Sequence, residues 1–135
     1  MKMNLERNNL IEQQNKKRGL NALVLYEVEK EGSESNIYLS DVPGMTPSEV
    51  LYLDAMEKLA QEIIEENIKV ERIRKIFPAI GEESKMFENM GFKVVKINKF
   101  IAALTHKKGE EIKGAIASIG VDEFLHNFTK ELATK

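Results

Sequence analysis

Behind the tetrapeptide TPSE, residues 46–49, apolar side chains recur at three- and four-residue intervals: Tyr52, Ala55, Met56, Leu59, Ala60, Ile63 and Ile64. That period is the helical one, so the sequence predicts one long helix with a single core-facing stripe running to about residue 66. Thr46 is placed as N-cap, Pro47 as first helical residue and Glu49 as the reciprocal carboxylate of a capping box. With 135 residues, 42% of them hydrophobic, the chain has material for one core and not for two.

β-favouring segments flank this helix. NALVLYEVEK (21–30) and NIYLSDV (36–42) read as an antiparallel pair joined across EGSES by a loop longer than the tight two-residue type. Beyond the helix, IKVERIRKIFP (68–78) is a third β segment, closed by Pro78. A short helix over about 81–90, with Met86, Phe87 and Met90 on one side, ends at Gly91, a natural left-handed C-cap. Phe92, Val94, Val95 and Ile97 lead into another strand, and KFIAALT (99–105) follows closely enough to pair with it. Two amphipathic helices finish the chain: Ile112, Ala115, Ile116 and Ile119 stripe the first, Gly120 breaks it, and Val121, Phe124, Leu125, Phe128 and Leu132 stripe the second. The division is a polar arm over 1–19, a core over 20–108 and a helical extension over 109–135 within the same single domain.

Composition narrows the function classes. The formal net charge of -2 supplies no global field for nucleic acid or an acidic membrane. Absence of cysteine removes disulfides, thiolate metal sites and cysteine nucleophiles together. His106 in the turn HKKG and His126 on the last helix are too far apart in sequence to indicate a metal site, and none is expected. No apolar run approaches the roughly 18 residues of a membrane span, and the start has no signal-peptide core; cytoplasmic is the default reading, with no membrane partner. Lys69, Arg72, Arg74 and Lys75 cluster in sequence, but alternation sends Lys69 and Lys75 to one strand face and Arg72 and Arg74 to the other. A solvated strand edge is expected there, and a nucleic-acid-binding module ranks third among functions.

The order strand, strand, long helix, strand, short helix, Gly-Phe, strand, strand resembles the later two-thirds of the GNAT family of N-acetyltransferases, from about Asn21 to Thr105. MFENMGFKVV (86–95) carries the likeness most closely, with an aromatic residue four positions before a Gly-Phe pair. The resemblance implies an α+β fold with a mixed, mainly antiparallel sheet of about five strands around a long central helix, here with a C-terminal helical pair. It also implies acetyl-CoA wedged between two central strands.

The residues that would serve that cofactor are altered. Where the family has a glycine-rich turn whose amides hold pyrophosphate, this chain reads GMTPSEV, bringing Thr46, Ser48, Glu49 and Val50 to that position. Pro47 lacks a donor, the capping box engages others, and the Glu49 charge near phosphate costs on the order of 1 kcal/mol, roughly tenfold in affinity. Phe87 stands where many catalytic members of the family it resembles have a tyrosine to protonate the leaving thiolate, though some dispense with that group. Asp41, near the end of the presumed central strand, is the nearby candidate for a general base.

The expectation from sequence is therefore a non-catalytic acetyltransferase-like protein, without cofactor, working by protein contact or self-association through Phe124, Leu125, Phe128 and Leu132. A viral or phage assembly or accessory protein would suit so reduced a chain. The alternative is a divergent acetyl-CoA-dependent N-acetyltransferase.

Overall fold

The computed structural model describes residues 17–79, 81–100 and 113–129; for 98–100 and 113 the backbone alone is described. The elements, in chain order, are β1 (Arg18–Gly19), β2 (Val24–Glu31), β3 (Glu34–Asp41), α1 (Glu49–Glu65), β4 (Arg72–Pro78), α2 (Glu83–Asn89), β5 (Lys93–Phe100), β6 (Lys113–Gly120) and α3 (Val121–Phe128). The six strands form one sheet in the order β1-β2-β3-β4-β6-β5. All neighbours are antiparallel except β3 and β4, which run parallel as α1 crosses between them.

β2 and β3 pair from Val24↔Asp41 to Glu31↔Glu34. This leaves only Gly32 and Ser33 in the turn, in place of the longer loop that EGSES suggested. Gly32 has φ 65, the left-handed backbone that a two-residue hairpin needs, so the glutamates on both sides stay in the ladder.

α1 begins two residues later than the capping-box reading. Ser48 is the N-cap, its Oγ accepting from the Leu51 amide at 3.4 Å, and Pro47 and Thr46 lie outside the helix. Glu49 is thus the first helical residue and its carboxylate accepts from Asn89 Nδ2 at 3.1 Å. Tyr52, Ala55, Met56, Leu59, Ala60 and Ile63 are buried as the stripe demands, whereas Ile64 is exposed. α2 stops at Gly91 as expected: φ is 95 there, Gly91 N donates to Glu88 O and Phe92 N to Phe87 O, the paired bonds of a Schellman motif.

The largest departure lies at residues 113–120, a strand and not the first of two terminal helices. Ile112, Ala115, Ile116 and Ile119 match a helical spacing, but Ala115, Ala117 and Ile119, the buried set, match the strand period equally well. Pairing decides: β6 lies between β4 and β5 and bonds to both. The segment from 109 is therefore not wholly a helical extension, and the partner of β5 is β6 in place of KFIAALT, whose Lys99 and Phe100 belong to β5 itself.

The three described helices cover one sheet face, tied together by a chain of aromatic rings. Tyr52 of α1, Phe77 of β4 and Phe92 each lie 5.1–5.6 Å from the Phe87 ring of α2, and Phe124 of α3 lies 6.3 Å from Phe92. Burying a side chain of this size contributes about 1.5–3 kcal/mol. Ile76 and Val95, on the opposite face, remain about half exposed.

Candidate functional site

The parallel strands β3 and β4 pair only from Asn36↔Arg72 to Leu39↔Lys75. Both then run on, β3 to Asp41 beside β2 and β4 to Pro78 beside β6, so the centre of the sheet opens after Leu39 and Lys75. The first turn of α1 lies over this opening, because Tyr52 hydrogen-bonds across it.

Side chains from four elements meet there. Strand alternation puts Lys75 in phase with Ile73 and Phe77, facing the helices, and leaves it 3% exposed. Its ammonium donates to Asp41 Oδ2 at 3.1 Å, Glu83 Oε2 at 2.5 Å and the Tyr52 hydroxyl at 3.2 Å. The Tyr52 hydroxyl is within 3.0–3.2 Å of both carboxylates. Burial, followed by the negative charges of Glu83 and Asp41, pushes the Tyr52 phenol far above its ordinary range, so it keeps its proton. Lys75 Nζ also lies 5.4, 5.6 and 5.7 Å from the ring centroids of Tyr52, Phe77 and Phe87, within cation–π range of all three. Two carboxylates against one ammonium leave the cluster one negative charge in excess.

Asp41 is thus the sequence candidate that joins the cluster, and Phe87 walls it as a fully buried ring. Thr46 is exposed in the loop before α1, and Ser48, Glu49 and Val50 form the start of the helix. Among the described residues the Glu49 and Val50 amides have no hydrogen-bond acceptor. Pro47 removes no helical donor, while Ser48 Oγ engages the Leu51 amide and the Glu49 carboxylate stays at the helix start. Phe124 is fully buried against Phe92 and Phe128, while Leu125 is half-buried and borders a groove with Ile63 and Ile64. Leu132 and His106 lie outside the described residues, and His126 is exposed in the last turn of α3.

Lys75 and the pair Arg72 and Arg74 lie on opposite strand faces, as alternation predicts; the setting differs. Lys69 precedes β4, and β4 is a central strand, not an edge. Arg72 and Arg74 point to the face opposite the described helices, pairing with Glu34 at 3.2 Å and Glu31 at 3.6 Å. Sequence reading missed Tyr52, Lys75 and Glu83 as a group. The available signal was Lys75 itself, a lysine in register with Ile73 and Phe77 on a core-facing strand.

A mixed sheet opened at its one parallel pair, with a helix start over the opening, is the arrangement of the GNAT-type acetyltransferases, and this chain has a GNAT-like fold. Among solved structures it is similar to a spermidine N-acetyltransferase chimera from Vibrio cholerae, with 12% identity, 92% of this chain and 78% of that chain covered and a TM-score of 0.53. It is also similar to a ribosomal-protein-alanine N-acetyltransferase from Escherichia coli, with 13% identity, 86% and 76% coverage and a TM-score of 0.51. Against a GNAT-family acetyltransferase from Bacillus anthracis the values are 15% identity, 74% of this chain and a TM-score of 0.47, and this chain spans only 59% of that protein's length. At such identities the likeness is one of fold. No protein-family model and no curated protein matches the sequence. No helix among the described residues is long and apolar enough to cross a membrane.

Proposed function

We propose that this chain is a divergent N-acyltransferase that uses an acetyl-CoA-type donor. The observation that carries the reading is the opening of β3 from β4 after Leu39↔Lys75 beneath the first turn of α1. Such a donor supplies a thioester carbonyl for attack by an amine. The unengaged amides of Glu49 and Val50 fit a phosphate oxygen, and Asn89 holds the carboxylate of Glu49. Asp41 is the proton acceptor of this reading, and Tyr52, with its proton retained, is a hydroxyl whose ring lies 5.1 Å from that of Phe87, which has none. Calorimetric titration with acetyl-CoA tests the proposal: saturable binding is expected, and no heat at millimolar donor would exclude it.

A second reading, action through protein contact without catalysis, is favoured by a different observation. Asn36, Arg74 and Ser118 sit on the sheet face opposite the described helices and keep buried side-chain polar atoms without partners among the described residues, beside half-exposed Ile76 and Val95. Ile76 and Val95 are the apolar side chains that a bound protein surface would cover. Light scattering and cross-linking of wild type against Ile76→Asp test it; an unchanged monomer in both removes the self-association form.

A further inference from the structure

The sheet ends in two edges of opposite charge. At one end β5 has β6 as its neighbour among the described residues, and its regular stretch, 93–97, carries exposed Lys93 and Lys96 and no acid. At the other end β1 pairs with Leu25 and Tyr26 alone, so the outer side of β2 over 27–31 meets no described strand. That stretch carries Glu27, Glu29 and Glu31 against a single Lys30. Neither stretch contains proline, so the outward amides and carbonyls of both can join a ladder. Among the described residues none of Glu27, Glu29, Lys93 and Lys96 forms an ion pair.

Charge on an edge strand ordinarily keeps it from pairing. Edges of opposite sign do so only between like edges. A two-fold dimer joining β5 to β5 would set lysine against lysine, and one joining β2 to β2 would set glutamate against glutamate. Joining β5 of one copy to β2 of the next does neither. The strand directions allow it: following the pairings across the sheet, β5 runs opposite to β2, so a copy laid down in the same orientation presents its β5 antiparallel to this β2. The faces agree as well. Lys93, paired with Ser118, and Glu27, Glu29 and Glu31, paired with Tyr38, Asn36 and Glu34, all lie on the face away from the described helices, while Val94 and Val28 lie on the other. With Lys93 opposite Glu29, Val94 meets Val28, and Glu27 and Glu31 lie diagonally to the lysine.

We propose that the chain associates with itself head to tail, the basic β5 edge of one copy adding to the acidic 27–31 edge of the next. This deepens the protein-contact reading by naming the partner as a second copy, held through a surface other than Ile76. Such a contact leaves one edge open at each end, so it grows beyond two copies into a ring or a filament. One shared strand pair buries less than the roughly 1,200 Å² of a stable interface, which makes assembly weak and concentration-dependent.

Sedimentation velocity and light scattering over a series reaching millimolar protein test it. In low salt the mean mass should rise past two copies, and it should fall back as salt is raised. Lys93→Glu and Glu29→Lys, both at exposed positions, should each weaken association roughly tenfold or more. The double variant should associate more strongly than either single one, and Lys85→Glu, an equal charge change on exposed α2, should leave association as in the wild type. A protein that is monomeric at every concentration, a mass that levels off at two copies, a double variant no stronger than the single ones, or equal losses from Lys85→Glu and Lys93→Glu would each overturn the proposal. Association lost in Ile76→Asp but kept in Lys93→Glu removes the edge contact and leaves the protein-contact reading; the reverse keeps the edge contact and removes the Ile76 surface.

Discussion

Asp41 lies two residues past Leu39, the last β3 residue to pair with β4, yet its carboxylate meets Lys75 Nζ at 3.1 Å. A side-chain ion pair therefore spans the two parallel strands where their backbones have parted. On the helix-facing side the opening is bridged by charge, and both the chemistry proposed for it and its stability depend on that bridge.

Removing one partner of a buried pair strands the other in low dielectric. Lys75→Ala should lower the unfolding free energy by about 3–5 kcal/mol. Arg72→Ala, on the same strand but breaking the solvent-exposed pair with Glu34, should cost about 0.2–1 kcal/mol. Urea denaturation of the two variants compares them directly, and similar losses would contradict the buried bridge.

The start of α1 offers a test between two neighbouring hydroxyls. Ser48→Ala should destabilise by about 0.5–2 kcal/mol, because Ser48 Oγ accepts from the Leu51 amide. Thr46→Ala, outside the helix, should stay within about 0.5 kcal/mol of wild type. The opposite ranking in chemical denaturation would restore Thr46 as the cap.

Alkaline pH should weaken the fold. An unfolded tyrosine ionises near pH 10.0, while Tyr52 and Tyr26 hold their protons to higher pH when folded, each chiefly through burial. Their contribution is complete below that value. As pH rises above it the unfolded chain sheds protons that the native chain retains, and stability falls. Tyr52→Phe should make the alkaline decline shallower, read as unfolding free energy against pH alongside phenolate absorbance; identical slopes would show that Tyr52 titrates normally.

At Gly91 the backbone has φ 95, and a Cβ there would lie 2.6 Å from Asn127 Nδ2. Gly91→Ala should cost at least about 1–2 kcal/mol from the backbone conformation. Asn127→Ala in the same chain should return only the steric part. Thermal melting of the single and double variants separates the contributions; a neutral Gly91→Ala would mean the junction can relax.

Much of the fold was legible because its signals are local. The stripe from Tyr52 to Ile63 and the stop at Gly91 depend on helical periodicity and on one residue's backbone freedom, which a sequence displays directly. The order of elements around MFENMGFKVV likewise led to the GNAT-like fold. Residues 113–120 were not decidable in this way, since their apolar spacing serves a helix or a strand, and bonding to β4 and β6's other neighbour β5 made the choice. Only tertiary structure could bring Asp41, Tyr52, Lys75 and Glu83 together, for they come from four elements spread over 43 positions of numbering and attract one another only after the sheet and helices have packed. Periodicity shows which way a side chain faces; which charge it meets there depends on contacts between distant parts of the chain.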